Sequence, residues 1–163
     1  MNTRPSDVDL EVIRELMGRC TLRQIEYHEI SARLSGSRYD PENPPVLDMT
    51  LRVQHRCDDE DFGIRLAAEI ESEAGTVSAT VAAVYDYEGD IPTKRALWGF
   101  GNEVGVMTVF PFLRETVHSI SMKVFAFPIL LAPINRGDIG FDLDEATDAP
   151  AYVHAAEVTS PPL

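Results

Sequence analysis

Leu47-Asp48-Met49-Thr50-Leu51-Arg52-Val53-Gln54-His55-Arg56-Cys57 alternates apolar and polar side chains without a break. An extended chain sends successive side chains to opposite faces, so this stretch reads as a strand with one dry face and one wet face. The pattern returns twice. Phe62, Ile64, Leu66, Ala68 and Ile70 oppose Arg65, Glu69 and Glu71, and Val77, Ala79, Val81, Ala83, Tyr85 and Tyr87 share the dry face of a third run. Asp58-Asp59-Glu60-Asp61 and Glu73-Ala74-Gly75 are the turns between them. Half-polar strands joined by short turns predict an antiparallel meander, not a parallel sheet.

Upstream, residues 21–34 alternate imperfectly: Ile25 and Tyr27 lie in one phase, Ile30, Ala32 and Leu34 in the other. A slip of one residue predicts a β-bulge inside a further strand. Gly36, Pro41, Pro44 and Pro45 make residues 35–45 a long loop. Ahead of that strand, a short acidic helix is expected over about 6–17. Ser6 or Asp7 caps it, Asp9 and Glu11 suit its positive end, and Gly18 stops it. So short a helix is expected to dock weakly or fray.

Downstream, Trp98-Gly99-Phe100-Gly101 reads as a glycine-containing connector, and Pro111 as the first turn of a helix running to about Val124. Phe110, Leu113, Val117, Ile120 and Val124 recur at steps of three or four, an apolar stripe able to cover the sheet. Phe127 to Pro133 is apolar and bounded by prolines, hence extended, and a last helix is expected near 143–149 before a loose tail. The expected fold is α+β: a four-stranded antiparallel sheet, one long amphipathic helix on one face, and a short N-terminal helix. It divides into an extension at 1–18, a main domain at 19–142 and an acidic, proline-containing tail at 143–163.

Fourteen basic against 27 acidic residues give a net charge of −13. That sign argues against nucleic acid and anionic membranes, both of which reward basic patches. No segment approaches the roughly 18 apolar residues of a membrane helix, and the first residues hold no apolar run, so neither insertion nor a secretory leader is expected. Cys20 and Cys57 are too few for a disulfide framework or a four-ligand zinc site, and are expected to be reduced, packed thiols in a cytoplasmic protein. His28, His55, His118 and His154 lack metal-ligand spacing, and no nucleophile elbow or phosphate loop occurs. No catalytic residue, metal or cofactor is expected. Tyr39, Trp98, Phe100, Phe125 and Phe127 fall in or beside segments read as irregular. They are either core or the apolar walls that a non-specific peptide groove needs.

Phe110-Pro111-Phe112-Leu113-Arg114-Glu115, followed by Val117, Ser119 and Ile120, resembles the opening of the main helix of SecB export chaperones, with Phe112 in place of the usual tyrosine. Phe127-Pro128 and Leu131-Ala132-Pro133-Ile134-Asn135 resemble the family's Phe-Pro and Leu-Ala-Pro-Val-Asn segments, and Ile25 with Glu29-Ile30-Ser31 resembles its first strand. The likeness spans roughly residues 20–135. It implies an ATP-independent holding chaperone for unfolded polypeptides, serving export or one dedicated client such as an antitoxin. It also implies a homotetramer, a dimer of dimers, with the main helix (Leu113, Val117, Ile120, Val124) at the interface. The client groove it implies runs by the loop containing Tyr39 and by Phe125, Phe127 and Pro128. The outward acids Glu26, Glu29, Glu69 and Glu71 resemble the surface that meets the export motor ATPase; a plain solubilising face is the other reading. An enzyme on the same scaffold and a purely structural homo-oligomer are the competing classes.

Overall fold

The computed structural model describes residues 2–36 and 40–152. Helix α1 (Asp7–Gly18) precedes strands β1 (Cys20–Leu34), β2 (Asp48–Cys57), β3 (Asp61–Ser72) and β4 (Gly75–Tyr87); helices α2 (Lys94–Phe100) and α3 (Val106–Phe125) follow. The sheet is antiparallel throughout, in the order β1-β4-β3-β2, so both β1 and β2 are edge strands. Their apolar sides face one core, in which Phe62, Ile64, Leu66, Val81, Leu97, Leu113 and Val117 are fully buried.

The phase slip in β1 resolves into two bulges, one between Leu22 and Gln24 and one between Tyr27 and Glu29. Arg23 and His28 are the extra residues. Each bulge restores the phase that the sequence had lost, so Leu22, Ile25, Tyr27, Ile30, Ala32 and Leu34 all stand opposite inward residues of β4.

Residues 94–105 are helical, correcting the expected connector. Thr93 caps α2 by accepting from the Ala96 amide at 3.1 Å, and a π-helical turn (Gly101–Gly105) leads directly into α3. The glycines here serve close packing. An added Cβ on Gly99 would lie 2.6 Å from Ile13, on Gly101 2.7 Å from Phe141, and on Gly105 2.8 Å from Ile64. Pro111 accordingly lies inside α3 rather than at its start. Both Pro111 and Met107 are exposed, so water can meet the Met107 carbonyl left without its usual donor.

Helix α1 is firmly docked. Ser6 and Asp9 form a reciprocal capping box, and Ile13 and Leu16 are buried. Arg95 of α2 ties Asp9 at 3.1 Å, Asp148 at 3.0 Å and the Ala146 carbonyl at 2.9 Å. The expected helix at 143–149 shrinks to a 3-10 turn, Leu143–Glu145. The following backbone is used instead as a strap across the start of α2, where the amides of Lys94 and Arg95 donate to Ala149 and Thr147. Asn102, buried in the π-turn, fastens this strap: it accepts from the Phe141 amide at 2.6 Å and donates to the carbonyls of Phe141 and Thr3 at 2.9 and 3.3 Å.

Candidate functional site: two uncovered edges of the sheet

Helix α3 lies over β4, β3 and part of β1 but does not reach across β2. The apolar face of β2 is therefore covered only towards its end, where Cys57 is buried. At its start Leu47 and Met49 are 40% and 45% exposed, and Val46 just before them is 88% exposed. Leu51 and Val53 continue the strip, half-buried. The strip runs along an edge strand, whose outer side offers backbone donors and acceptors. The sequence showed which residues share this face; it did not show that the helix stops short of them.

An aromatic cluster closes the far end of the strip. Trp98 Nε1 donates to His55 Nδ1 at 3.1 Å, the Phe141 ring stacks on Trp98 at 5.2 Å, and Lys94 Nζ sits 4.0 Å above the indole. Burial, with the Lys94 charge adding to it, pushes the His55 imidazole down to about 4, which keeps Nδ1 free to accept. At the near end Phe125 and Phe127 stack at 5.7 Å. Phe125 stands against Gly75 in the β3–β4 turn, at the end of the sheet where β1 finishes and β2 begins. Gly75 has φ 144°, and any side chain there would collide with the Arg33 carbonyl.

The residues singled out from sequence thus fall in three places. Trp98, Phe127 and Pro128 keep exposed surface, Trp98 beside His55 of β2 and Phe127 stacked on Phe125. Phe100 and Phe125 are buried, Phe100 edge-on to Phe62 and Tyr85, and offer a client little surface. Tyr39 lies outside the described residues. On α3, Leu113 and Val117 are fully buried against their own sheet; Ile120 and Val124 are half-buried, and Met107, Phe112 and Met122 are the exposed apolar residues.

A second uncovered stripe runs along β1, where Leu22, Tyr27, Ile30 and Leu34 face the helix side but remain about half exposed. Four large apolar side chains in one row exceed the scattered exposure of an ordinary surface. Sequence reading missed this row as a site because two bulges break its period.

The opposite face of the sheet is charged in both signs. Glu69 pairs with Arg52 at 2.5 Å, and Glu26 meets His28 at 2.9 Å, a bond that holds the Glu26 carboxyl below its ordinary range. Glu29 accepts from the Ser31 hydroxyl at 3.1 Å, and Glu71 lies opposite Asp48. Cys20 and Cys57 are free thiols; burial pushes Cys57 up to about 12, far from a nucleophile's range. No cluster of three His, Cys, Asp or Glu suited to a metal exists among the described residues. No helix among them is long and apolar enough to cross a membrane.

No family model matches the chain. The SecB-like chaperone Rv1957 of Mycobacterium tuberculosis is 24% identical over 160 residues, covering 82% of this chain and 88% of that protein. The SecB-like chaperone SmegB of Mycolicibacterium smegmatis is 25% identical over 142 residues, covering 85% and 93%. Among solved structures, Rv1957 in complex with a ChAD peptide from the Rv1956 HigA1 antitoxin superposes with a TM-score of 0.66 at 20% identity, over 78% of this chain and 99% of that one. The α+β fold, a four-stranded antiparallel sheet with a long helical segment on one face, matches that structure, and in sequence and fold the chain is similar to the SecB-like chaperones.

Proposed function

We propose that the chain is a holding chaperone that acts without ATP and without catalysis, by seating unfolded polypeptide in the channel along β2. The observation that carries this reading is the uncovered start of β2: an apolar floor beside a free strand edge. An unfolded segment offers the matching pair, a backbone able to extend the sheet and alternate side chains to bury. Each buried Leu or Met contact contributes roughly 1.5–3 kcal/mol, too little alone and useful in series. In this reading Trp98 and the Phe127-Pro128 corner, both with exposed surface, bound the channel.

The β1 stripe and the exposed residues of α3 supply surface for self-association, in keeping with a dimer of dimers in the cytoplasm. Assembly would set several channels along one client, so modest local affinities sum. A dedicated client of the antitoxin kind is the narrower form, favoured by the antitoxin peptide in the Rv1957 structure. An export motor ATPase is the partner that the acidic residues Glu26, Glu29, Glu69 and Glu71 would meet in the export form of the role.

Titrating a reduced, alkylated and therefore permanently unfolded protein by calorimetry tests the reading. Binding with a negative heat-capacity change, little altered by salt and weakened several-fold by Met49→Ser, is expected. Absence of binding to unfolded chains and to an antitoxin-derived segment would overturn the reading in favour of the competing classes, the structural homo-oligomer first.

A further inference from the structure

Among the described residues, five arginines lie on the charged outer face of the sheet; three are already neutralised, and Arg33, exposed near the end of β1, and Arg65 are not. Arg23 pairs with Asp61 and Asp86, Arg52 with Glu69, and Arg56 with Asp58 and Asp61. Arg65, in the middle of β3, has no ion pair among the described residues. Its Nε donates to Gln54 Oε1 at 2.9 Å, and its two terminal nitrogens have no acceptor among the described residues. The side chain is half-buried, and burial pulls its pKa below the usual arginine value, with no ion pair to compensate.

Arg65 forms the wall between two adjoining concavities. One, of about 180 Å³, has Gly63, Ala82 and Val84 as a small-residue floor, with Glu26, His28 and Arg56 around it. The other, of about 220 Å³, is lined by Arg52, Gln54, Glu69 and Thr80. A half-buried guanidinium with two free donors is preorganised for a two-pronged bond to a carboxylate. The neighbouring acids disfavour a doubly charged phosphate. The apolar floor rewards a carboxylate attached to a chain over a bare anion.

We propose that the outer sheet face carries a receptor for an Asp or Glu side chain of a partner polypeptide, with Arg65 as the cation that takes it. This site lies on the other side of the sheet from the β2 channel, and its fate is independent of the chaperone reading.

Two blocked pentapeptides, Ala-Val-Glu-Val-Ala and its Gln counterpart, test it by NMR on the full chain. The signals read are the Arg65 Nε–H and the methyls of Ala82 and Val84. The Glu peptide is expected to shift all three saturably and to bind at least about tenfold more tightly than the Gln peptide. Arg65→Gln is expected to erase that preference, and Arg52→Gln, whose partner is Glu69, to keep it. Arg65→Lys, which keeps the charge and the fold, is expected to weaken the Glu peptide several-fold. Equal binding of the two peptides, an unchanged preference in either Arg65 variant, or acetate binding as tightly as the Glu peptide would overturn the proposal.

Discussion

Trp98 can bond to His55 only while the imidazole is neutral, because Nδ1 is the acceptor. The folded group titrates at about 4 against an ordinary value of 6.5, so between those values the unfolded chain binds the extra proton. Stability from this site is complete above pH 6.5 and is lost progressively as the pH falls towards 4, by about 2 kcal/mol after allowing for partial exposure. Melting followed by the emission of Trp98, the single tryptophan, should show a midpoint that drops across this window in the parent and drops less in His55→Gln. Identical slopes would remove His55 as the cause. Asn102 makes a second single-residue case. Asn102→Ala leaves the Phe141 amide and two carbonyls without their partner, and should cost about 2–4 kcal/mol in denaturant unfolding. A cost under about 0.5 kcal/mol would mean that the strap does not depend on it.

Helix α1 and α2 meet through one missing Cβ. Gly99→Ala would press on Ile13 and should destabilise by roughly 1–3 kcal/mol, a cost that should largely vanish when the same change is made in an Ile13→Ala background. Simple addition of the two costs would show that the helices do not touch there. This contact also explains where sequence reading stopped. Alternation alone placed β2, β3 and β4 and their turns, because polar residues interrupt the outward face of each strand. The same local logic failed at Trp98-Gly99-Phe100-Gly101, where glycine signals a turn by propensity but is used to let Ile13, Phe141 and Ile64 approach a helix. In β1 the period was visible only in pieces, since Arg23 and His28 are looped out. Phe110, Leu113 and Val117 were correctly read as a stripe, yet how far α3 extends over the sheet is a fact of packing that no local pattern encodes. The exposed start of β2 and the β1 row became visible for that reason only in three dimensions.

Leu22, Tyr27, Ile30 and Leu34 on one edge and Val46, Leu47 and Met49 on the other leave one chain with more apolar surface than a lone chain of this size usually shows. The proposed function gives the first edge to self-association and the second to clients. Light scattering coupled to gel filtration should find an oligomer for the parent and a smaller species for Tyr27→Ser/Ile30→Ser, with Leu47→Ser/Met49→Ser unaltered in size. A monomeric parent would contradict the assembly. The most direct test of the central claim is aggregation of a chemically unfolded protein, diluted without ATP into a slight excess of chaperone. The parent is expected to suppress the turbidity, and Leu47→Ser/Met49→Ser to lose most of that effect while keeping its fold and its size. Suppression that survives in this variant, or a parent that suppresses none of several clients including an antitoxin, would contradict a holding channel along β2.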